Sequence, residues 1–349
     1  MERRKSRVVT AGNVKIGGDS KITVQSMLNV IASDIEGNVR QAKELEKAGC
    51  EIVRLTVPDI QAVKTLEAVK NAVSIPVVAD IHFDYKCALE AVAAGVDKIR
   101  INPGNIGSDD RIKAVADACR QKNIPIRIGV NSGSLEKDIL AKYGGVTAEG
   151  MAESAFRHIR LLEKFDFNDI VVSIKSSDVE KMVNAYRIVA SKCDYPLHLG
   201  VTEAGTERMG LIKSAAGIGS LLLDGIGDTI RVSMTADPVK EIAAGNDILK
   251  AVGIKTDCPY IVSCPTCGRT KIDLISLANE IEERLRSCNK PIKVAVMGCA
   301  VNGPGEAKEA DIGVAGGDGN GLIFKKGEIL RKVDEKDIVN ELMKEIEEL

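Results

Sequence analysis

Between residues 22 and 252 the chain repeats one pattern: a short run rich in Val and Ile, then a longer stretch whose apolar residues recur every three or four positions. The repeat returns every 25 to 35 residues, roughly, which is the βα rhythm of a parallel sheet. The short runs predict strands at Ile22–Met27, Glu51–Val57, Pro76–Ile81, Lys98–Asn102, Pro125–Asn131, Asp169–Lys175, Pro196–Glu203 and Thr229–Met234. The longer stretches predict helices at Glu36–Ala48, Ile60–Ala72, Tyr85–Ala94, Asp109–Gln121, Ala148–Lys164, Glu180–Ala190, Thr206–Leu223 and Val239–Val252. Gly49 and Gly95 stand where helix-stop glycines belong. Eight such units match the size of a (β/α)8 TIM barrel, about 250 residues. A doubly wound open sheet is the competing arrangement, because periodicity does not prove closure. A hairpin is predicted around Gly17-Gly18-Asp19, ahead of the first strand.

Beyond Val252 the rhythm stops. Gly253–Ser263 reads as a linker, followed by a helix near Ile272–Ser287, a strand at Ile292–Met297, a glycine-rich stretch at Asp311–Gly321 between strand-like runs, and a helix near Glu335–Glu348. The expected organisation is a barrel over 1–252 and a small α+β domain over 253–349. The Asp311–Gly321 stretch reads as a turn or bulged hairpin, since no Lys and hydroxyl pair follows its glycines and no long helix opens there. No Walker-type stretch occurs, and no G-x-G-x-x-G follows the first strand, so ATP and NAD are not indicated.

The strands carry the unusual chemistry. Val53-Arg54-Leu55, Ile99-Arg100-Ile101, Ile126-Arg127-Ile128 and Ile230-Arg231-Val232 each put an arginine inside a run that should be buried, and Lys175 sits at the end of another. A lone buried guanidinium is costly, so each must meet an anion inside the protein or in a pocket. Asp80 and Glu203 are internal candidates, but the cations outnumber them. In a barrel, strand C-terminal ends build the site, so these side chains imply a pocket for a multiply charged phosphate ligand. Gln25, Asn102, Asn131, Thr202 and Ser233 are neutral polar groups expected at the same ends. His82 and His198 lie there too, as packing residues or as functional ones. Glu203 is the best candidate for a proton donor or relay.

Composition narrows the partners. In 349 residues, 48 Lys and Arg against 50 Asp and Glu give a formal charge of −2, so nothing global points to nucleic acid or an anionic membrane. No run approaches the roughly 18 apolar residues of a transmembrane helix. A cytoplasmic protein is expected, and nine cysteines, an odd number and mostly scattered, suit a reducing compartment.

Three of those cysteines are not scattered. Cys264-Pro265-Thr266-Cys267-Gly268-Arg269 offers two thiolates from one tight turn, and Cys299 ends the apolar run Ile292–Met297 and Gly298 before a glycine-rich segment closing on Glu306. Soft thiolates select zinc, copper(I) or an iron–sulfur cluster, and structural zinc would normally close with a fourth Cys or a His. No His lies beyond His198. With Glu306 as the nearby fourth candidate, a 4Fe-4S cluster with one oxygen ligand is the sharper reading. A redox Cys-x-x-Cys beside an unrelated Cys stays open. So does a zinc-containing barrel lyase or transferase acting on a phosphorylated or pterin-like substrate.

The segments CPTCGR and CAVNGPGE resemble the cluster-binding segments of the 4-hydroxy-3-methylbut-2-enyl diphosphate synthase family, the IspG or GcpE oxidoreductases of the methylerythritol phosphate route to isoprenoids. The similarity runs over nearly the whole chain and fits the two-domain bacterial form. It implies a barrel that binds 2-C-methyl-D-erythritol 2,4-cyclodiphosphate and a cluster that delivers two electrons to open the ring and expel water. It implies substrate contacts at Arg54, Arg100, Arg127, Asn131, Lys175, Thr202, Arg231 and Ser233, an acidic group at Glu203, and cluster ligands at Cys264, Cys267, Cys299 and Glu306. It further implies flavodoxin or ferredoxin as electron donor, and a head-to-tail homodimer in which one chain's cluster domain closes its partner's barrel.

Overall fold

In the computed structural model, which describes residues 2–286, 288–300 and 307–349, the first element is a hairpin of β1 (Val9–Ala11) and β2 (Val14–Ile16). Its turn is at Gly12-Asn13, five residues before the place predicted. Gly17-Gly18-Asp19 also turns the chain, with Ser20 N–H donating to Gly17 O at 3.2 Å, but that turn leads out of the hairpin. Gly17 has φ 96°, and a Cβ there would stand 2.0 Å from the Arg7 carbonyl oxygen. The glycine is needed for close passage of the N-terminal segment, which sequence reading takes for a hairpin signal.

Every run predicted as a barrel strand then forms one: β3 (Thr23–Met27), β4 (Ile52–Thr56), β5 (Val77–Asp80), β6 (Lys98–Ile101), β7 (Ile126–Asn131), β8 (Ile170–Lys175), β9 (His198–Leu199) and β10 (Thr229–Ile230). They pair in parallel in the order β8-β7-β6-β5-β4-β3-β10-β9. A parallel bridge, Val172 to Leu197, joins the two ends. The sheet is therefore the wall of a (β/α)8 barrel, and the open-sheet alternative falls.

The connecting helices are α1 (Ile35–Lys47), α2 (Val63–Ala72), α3 (Tyr85–Ala93), α4 (Pro103–Ile106), α5 (Asp109–Lys122), α6 (Lys137–Tyr143), α7 (Ala148–Glu163), α8 (Val179–Ala190), α9 (Glu207–Leu223) and α10 (Pro238–Ala251). Asp34, Asp84, Thr147 and Asp178 set where α1, α3, α7 and α8 begin, each accepting from a backbone N–H of the first turn. Neither α4 nor α6 was expected from the pattern; both are too short to show a helical period. Ala11 and Ile16 of the hairpin pack with Ile52 and Val78 from the strand beginnings, so an apolar plug fills the N-terminal end of the barrel. Polar side chains are left for the other end.

Residues Met1–Val252 form this unit and Gly253–Leu349 a second one. Among the described residues the second unit holds a five-stranded sheet of β11 (Tyr260–Ser263), β12 (Lys293–Met297), β13 (Ile312–Gly317), β14 (Asn320–Lys325) and β15 (Glu328–Asp334), in that order. The first three strands run parallel and the last two antiparallel. Helices α11 (Leu274–Leu285) and α12 (Ile338–Glu347) cover one face, burying Leu277, Ile281 and Leu342 against Val294, Val296, Ile312 and Val314. The glycine-rich stretch is the β13–β14 hairpin, turning at Asp318-Gly319 where Gly319 has φ 65°. Tyr260–Ser263, read from sequence as linker, is an edge strand whose residues are half-buried or exposed, so no buried alternation marked it. Among the described residues no helix is long and apolar enough to cross a membrane.

Candidate active site

The strand register sets Arg100 beside Asp80 and Arg127, and Arg54 beside Val78, two residues before Asp80, so the three arginines share one face, and their contacts show that this face is the barrel interior. Arg127 Nη1 on β7 donates to Gln25 Oε1 on β3 at 3.2 Å, across strands that are not neighbours in the sheet. Asp80, at the end of β5, lies between two other arginines. Its Oδ1 accepts from Arg100 Nη1 at 3.0 Å, and its Oδ2 stands 3.5 Å from Arg54 Nε. With its amide turned to satisfy both ends, Asn131 also accepts from Arg100 Nη2 at 3.2 Å. Across the mouth, Arg231 Nη2 is 3.7 Å from Glu241 Oε2.

These groups are out of water. Arg127 is fully buried, Arg54, Arg100 and Asp80 nearly so, and the Arg231 side chain is 15% exposed. Burial would raise the Asp80 carboxyl, but Arg54 and Arg100 outweigh it and hold the group below the usual carboxylate range. Burial brings Arg54 down to about 9, with Asp80 resisting and Arg231 and Arg100 adding repulsion. Lys175, Lys98 and His198 are pushed well below their ordinary values, first by burial and then by the arginines around them. Arg127 Nε and Nη2, Arg100 Nε and Lys98 Nζ find no hydrogen-bond partner among the described residues. A cavity so rich in donors and so poor in acceptors suits a ligand that brings its own oxygens and negative charge.

Gly129 on β7 is part of this arrangement. A Cβ there would stand 2.4 Å from Arg100 Nε and 2.5 Å from its Nη2. The absent side chain is what lets the Arg100 guanidinium lie over β7 beside Asn131 while its Nη1 bonds Asp80 on β5.

The neutral candidates divide. Asn131 at the end of β7 and Thr202 and Ser233 beyond β9 and β10 are half-buried; of the three, Asn131 meets a cation, Arg100, and the Thr202 N–H donates to Ser176 O at 3.3 Å. Asn102 turns away, capping α4 through Gly104 N at 3.1 Å and donating to Ser134 Oγ at 3.3 Å. His82 is half-buried just past β5, its ring 6.2 Å from that of the exposed Phe83. His198 is fully buried, and neither ring nitrogen has a partner among the described residues. Glu203 is exposed beyond β9, not among the buried cations, and holds φ 50°. That left-handed conformation costs a residue with a Cβ about 1–3 kcal/mol and persists only where the surroundings impose it.

Two contributors were missed from sequence. Lys98 follows Asp97 at the start of its strand and reads as half of a surface charge pair, yet it is fully buried two residues below Arg100. Glu241 lies in a helix full of charges, and only its spacing from the buried Gly245, Ile248 and Leu249 betrays that it faces inward.

In the second unit, adjacent parallel strands bring the cysteines to one end of the sheet. Cys264 directly follows β11 and Cys299 follows β12, and Ser263 is in register with Val296. The Gly298 N–H donates to Cys264 Sγ at 3.2 Å, and the Cys267 N–H donates to Thr270 Oγ1 at 3.2 Å. Cys264 and Cys299 are half-buried; Cys267 is exposed, its thiol held below the ordinary value first by the Arg269 backbone and then by its guanidinium. Glu306 lies outside the described residues. Among the described residues no three Cys, His, Asp or Glu side chains converge as ligands of a single ion. Three thiols at one sheet end, one already accepting an N–H···S bond, nevertheless fit the thiolate donor set of an iron–sulfur group.

A barrel that gathers buried cations short of acceptors, carried with a separate thiol-bearing unit, has the make-up of a barrel enzyme of phosphorylated substrates equipped for metal or redox chemistry. Comparison with known families agrees and is specific. The GcpE TIM-barrel domain matches residues 6–246 and the GcpE protein C-terminal domain matches residues 260–348. The chain belongs to the GcpE family. A protein of Clostridium perfringens named 4-hydroxy-3-methylbut-2-en-1-yl diphosphate synthase (flavodoxin) is 59% identical over 347 residues, covering 99% of each chain. A protein of the same name from Clostridium acetobutylicum is 59% identical over 349 residues, covering all of both. Among solved structures, the truncated 3-deoxy-D-arabino-heptulosonate 7-phosphate synthase of Thermotoga maritima has a TM-score of 0.51 at 14% identity, over 72% of this chain and 95% of that one. It bears on the barrel fold alone.

Proposed function

We propose that this chain is a 4-hydroxy-3-methylbut-2-en-1-yl diphosphate synthase that opens the ring of 2-C-methyl-D-erythritol 2,4-cyclodiphosphate reductively, consuming two electrons and two protons and releasing one oxygen as water. The observation that carries the reading is the field of cations in the barrel, the buried Arg54, Arg100, Arg127 and Lys175 and the half-buried Arg231, which among the described residues pair with two buried carboxylates, Asp80 and Glu241. The name shared by full-length relatives supplies the substrate class. It favours this reading over a zinc-containing lyase or transferase.

The residues divide the work as follows. Arg54 and Arg100, oriented by Asp80, grip one phosphate with guanidinium forks, while Arg127 and Lys175 meet the diphosphate from below and Arg231 from the rim. Asn131, Thr202 and Ser233 bond the remaining oxygens. The diphosphate supplies the missing acceptors, so binding relieves the mutual repulsion of the cations and stabilises the barrel. Closure around buried guanidinium groups excludes water from the reacting carbon–oxygen bonds. Glu203, held at the mouth in its strained backbone conformation, supplies a proton to the leaving oxygen.

Cys264, Cys267, Cys299 and Glu306 would hold a 4Fe-4S cluster, which supplies the two electrons one at a time. The Gly298 N–H on Cys264 would draw charge from that thiolate, and a carboxylate at Glu306, a weaker partner for iron than sulfur, would leave one position exchangeable. Reduced flavodoxin, in the relatives' name, is the expected donor, and the working form is a cytoplasmic homodimer. Iron and acid-labile sulfide content, with electron paramagnetic resonance of dithionite-reduced protein purified without oxygen, tests the reading. About four irons and four sulfides per chain and a spectrum altered by the cyclodiphosphate are expected; zinc without sulfide would overturn it.

A further inference from the structure

Glu241 is the buried carboxylate at the site that no step above uses. It comes from α10, outside the barrel wall, and is 4% exposed. Its Oε1 accepts the Met234 N–H at 3.0 Å, in the segment that follows β10; its Oε2 accepts from Ser26 Oγ on β3 at 3.2 Å. Both strands flanking the rim near Arg231 are thereby tied to one carboxylate. The same Oε2 stands 3.7 Å from Arg231 Nη2, and the two side chains line a rim cleft of about 340 Å³ with Met27, Asn29 and Thr56.

We infer that Glu241 is a positioning residue for the diphosphate: it fixes where the Arg231 guanidinium stands at the barrel rim. The inference rests on the reading of Arg231 as a substrate ligand. Arg231 stands among like charges, since Arg54, Arg127 and Lys175 each repel it. Without a fixed anion behind it, a long, partly exposed side chain swings outward into solvent, away from the other cations. Glu241 is fixed, because two hydrogen bonds from separate strands hold both its oxygens. Asp80 does the same for Arg54 and Arg100 on the other side of the cavity. Each arginine group thus has a buried carboxylate beside it, Asp80 for Arg54 and Arg100 and Glu241 for Arg231.

The test is a double-mutant cycle on affinity for the cyclodiphosphate, read by calorimetry, with Glu241→Gln and Arg231→Gln. Gln keeps the shape and an acceptor for Met234 N–H while removing the charge that holds Arg231. Glu241→Gln alone is expected to weaken binding about tenfold, and in the Arg231→Gln background to change it less than about twofold, as groups that act through one another do. Glu241→Asp, which retains the charge on a shorter stem, should recover part of the loss and serves if the Gln protein does not fold. If the wild type binds and Glu241→Gln binds equally well, the positioning role fails while the substrate reading stands. If the wild type does not bind, both fail. Equal losses in the two backgrounds would make Glu241 a structural residue only.

Discussion

Gly129→Ala isolates the geometry of Arg100 with a single methyl group. The backbone of Gly129 is not in a left-handed conformation, and alanine is better than glycine inside a strand by about 0.5–1 kcal/mol, so local propensity alone makes the substitution stabilising. The space says otherwise. A Cβ would lie 2.4 Å from Arg100 Nε and 2.8 Å from its Cζ, where ordinary contact begins at 3.4 Å. The atoms in the way are the end of a flexible side chain, so the guanidinium moves and the strand does not. A displacement of about 1 Å takes the 3.0 Å bond to Asp80 beyond hydrogen-bonding range. A bond to a charged partner is worth about 1.5–3 kcal/mol, which leaves a net loss of about 1–2 kcal/mol after the propensity gain. In a barrel of this size that lowers Tm by about 2–8 °C. Binding of the cyclodiphosphate should weaken about 10- to 100-fold, because the same displacement removes a bidentate contact. Differential scanning fluorimetry and calorimetry measure the two effects. In an Arg100→Ala background the same Gly129→Ala change should turn neutral or stabilising. Wild-type affinity and Tm in the single variant would refute the placement of Arg100 over Gly129.

Other outcomes follow from the same interior. His198 is held well below its ordinary pKa first by burial and then by Arg127, Lys175 and Lys98, while the unfolded chain takes up its proton near pH 6.5. The unfolded state therefore binds more protons below that point, and stability is lost as pH falls from 7 to 5, by up to about 1.4 kcal/mol per unit. His198→Gln should flatten that part of a Tm-against-pH curve, and an unchanged slope would remove His198 from the account. In the second unit, Cys264→Ser should abolish iron and sulfide binding. Glu306→Ala should keep the cluster but alter its spectrum and slow turnover; wild-type turnover would remove Glu306 as a ligand. Mixing Arg54→Ala chains with Cys264→Ser chains should restore activity if one chain's cluster serves its partner's barrel, and inactive heterodimers would show that each chain works alone.

What the sequence disclosed and what it hid have physical causes. Arg54, Arg100, Arg127 and Arg231 were legible because each interrupts a β-branched run, where a charge has to be explained. The barrel strands were legible for the same reason: burial on both faces leaves short continuous apolar runs. Lys98 was hidden by its neighbour Asp97 and its place at a strand's first residue. Glu241 was hidden because helices carry many charges and only three-dimensional contact separates an inward one from the rest. Glu203 was legible as an acid at a strand end but not as an exposed residue, since nothing local reports that its backbone is left-handed. The hairpin turn was misplaced because Gly17 answers to a close approach of the Arg7 backbone, and Gly18 to the Val8 side chain, which sequence spacing does not reveal.

The central claim is that the barrel binds the cyclodiphosphate and the cysteine unit reduces it. It is tested most directly by incubating the anaerobic holoenzyme with reduced flavodoxin and 2-C-methyl-D-erythritol 2,4-cyclodiphosphate and following phosphorus resonances. The account predicts conversion of the cyclic diphosphate to the linear 4-hydroxy-3-methylbut-2-en-1-yl diphosphate, dependent on reductant and absent in Arg54→Ala and Cys264→Ser. An unchanged substrate spectrum with a fully loaded, reduced enzyme would contradict it.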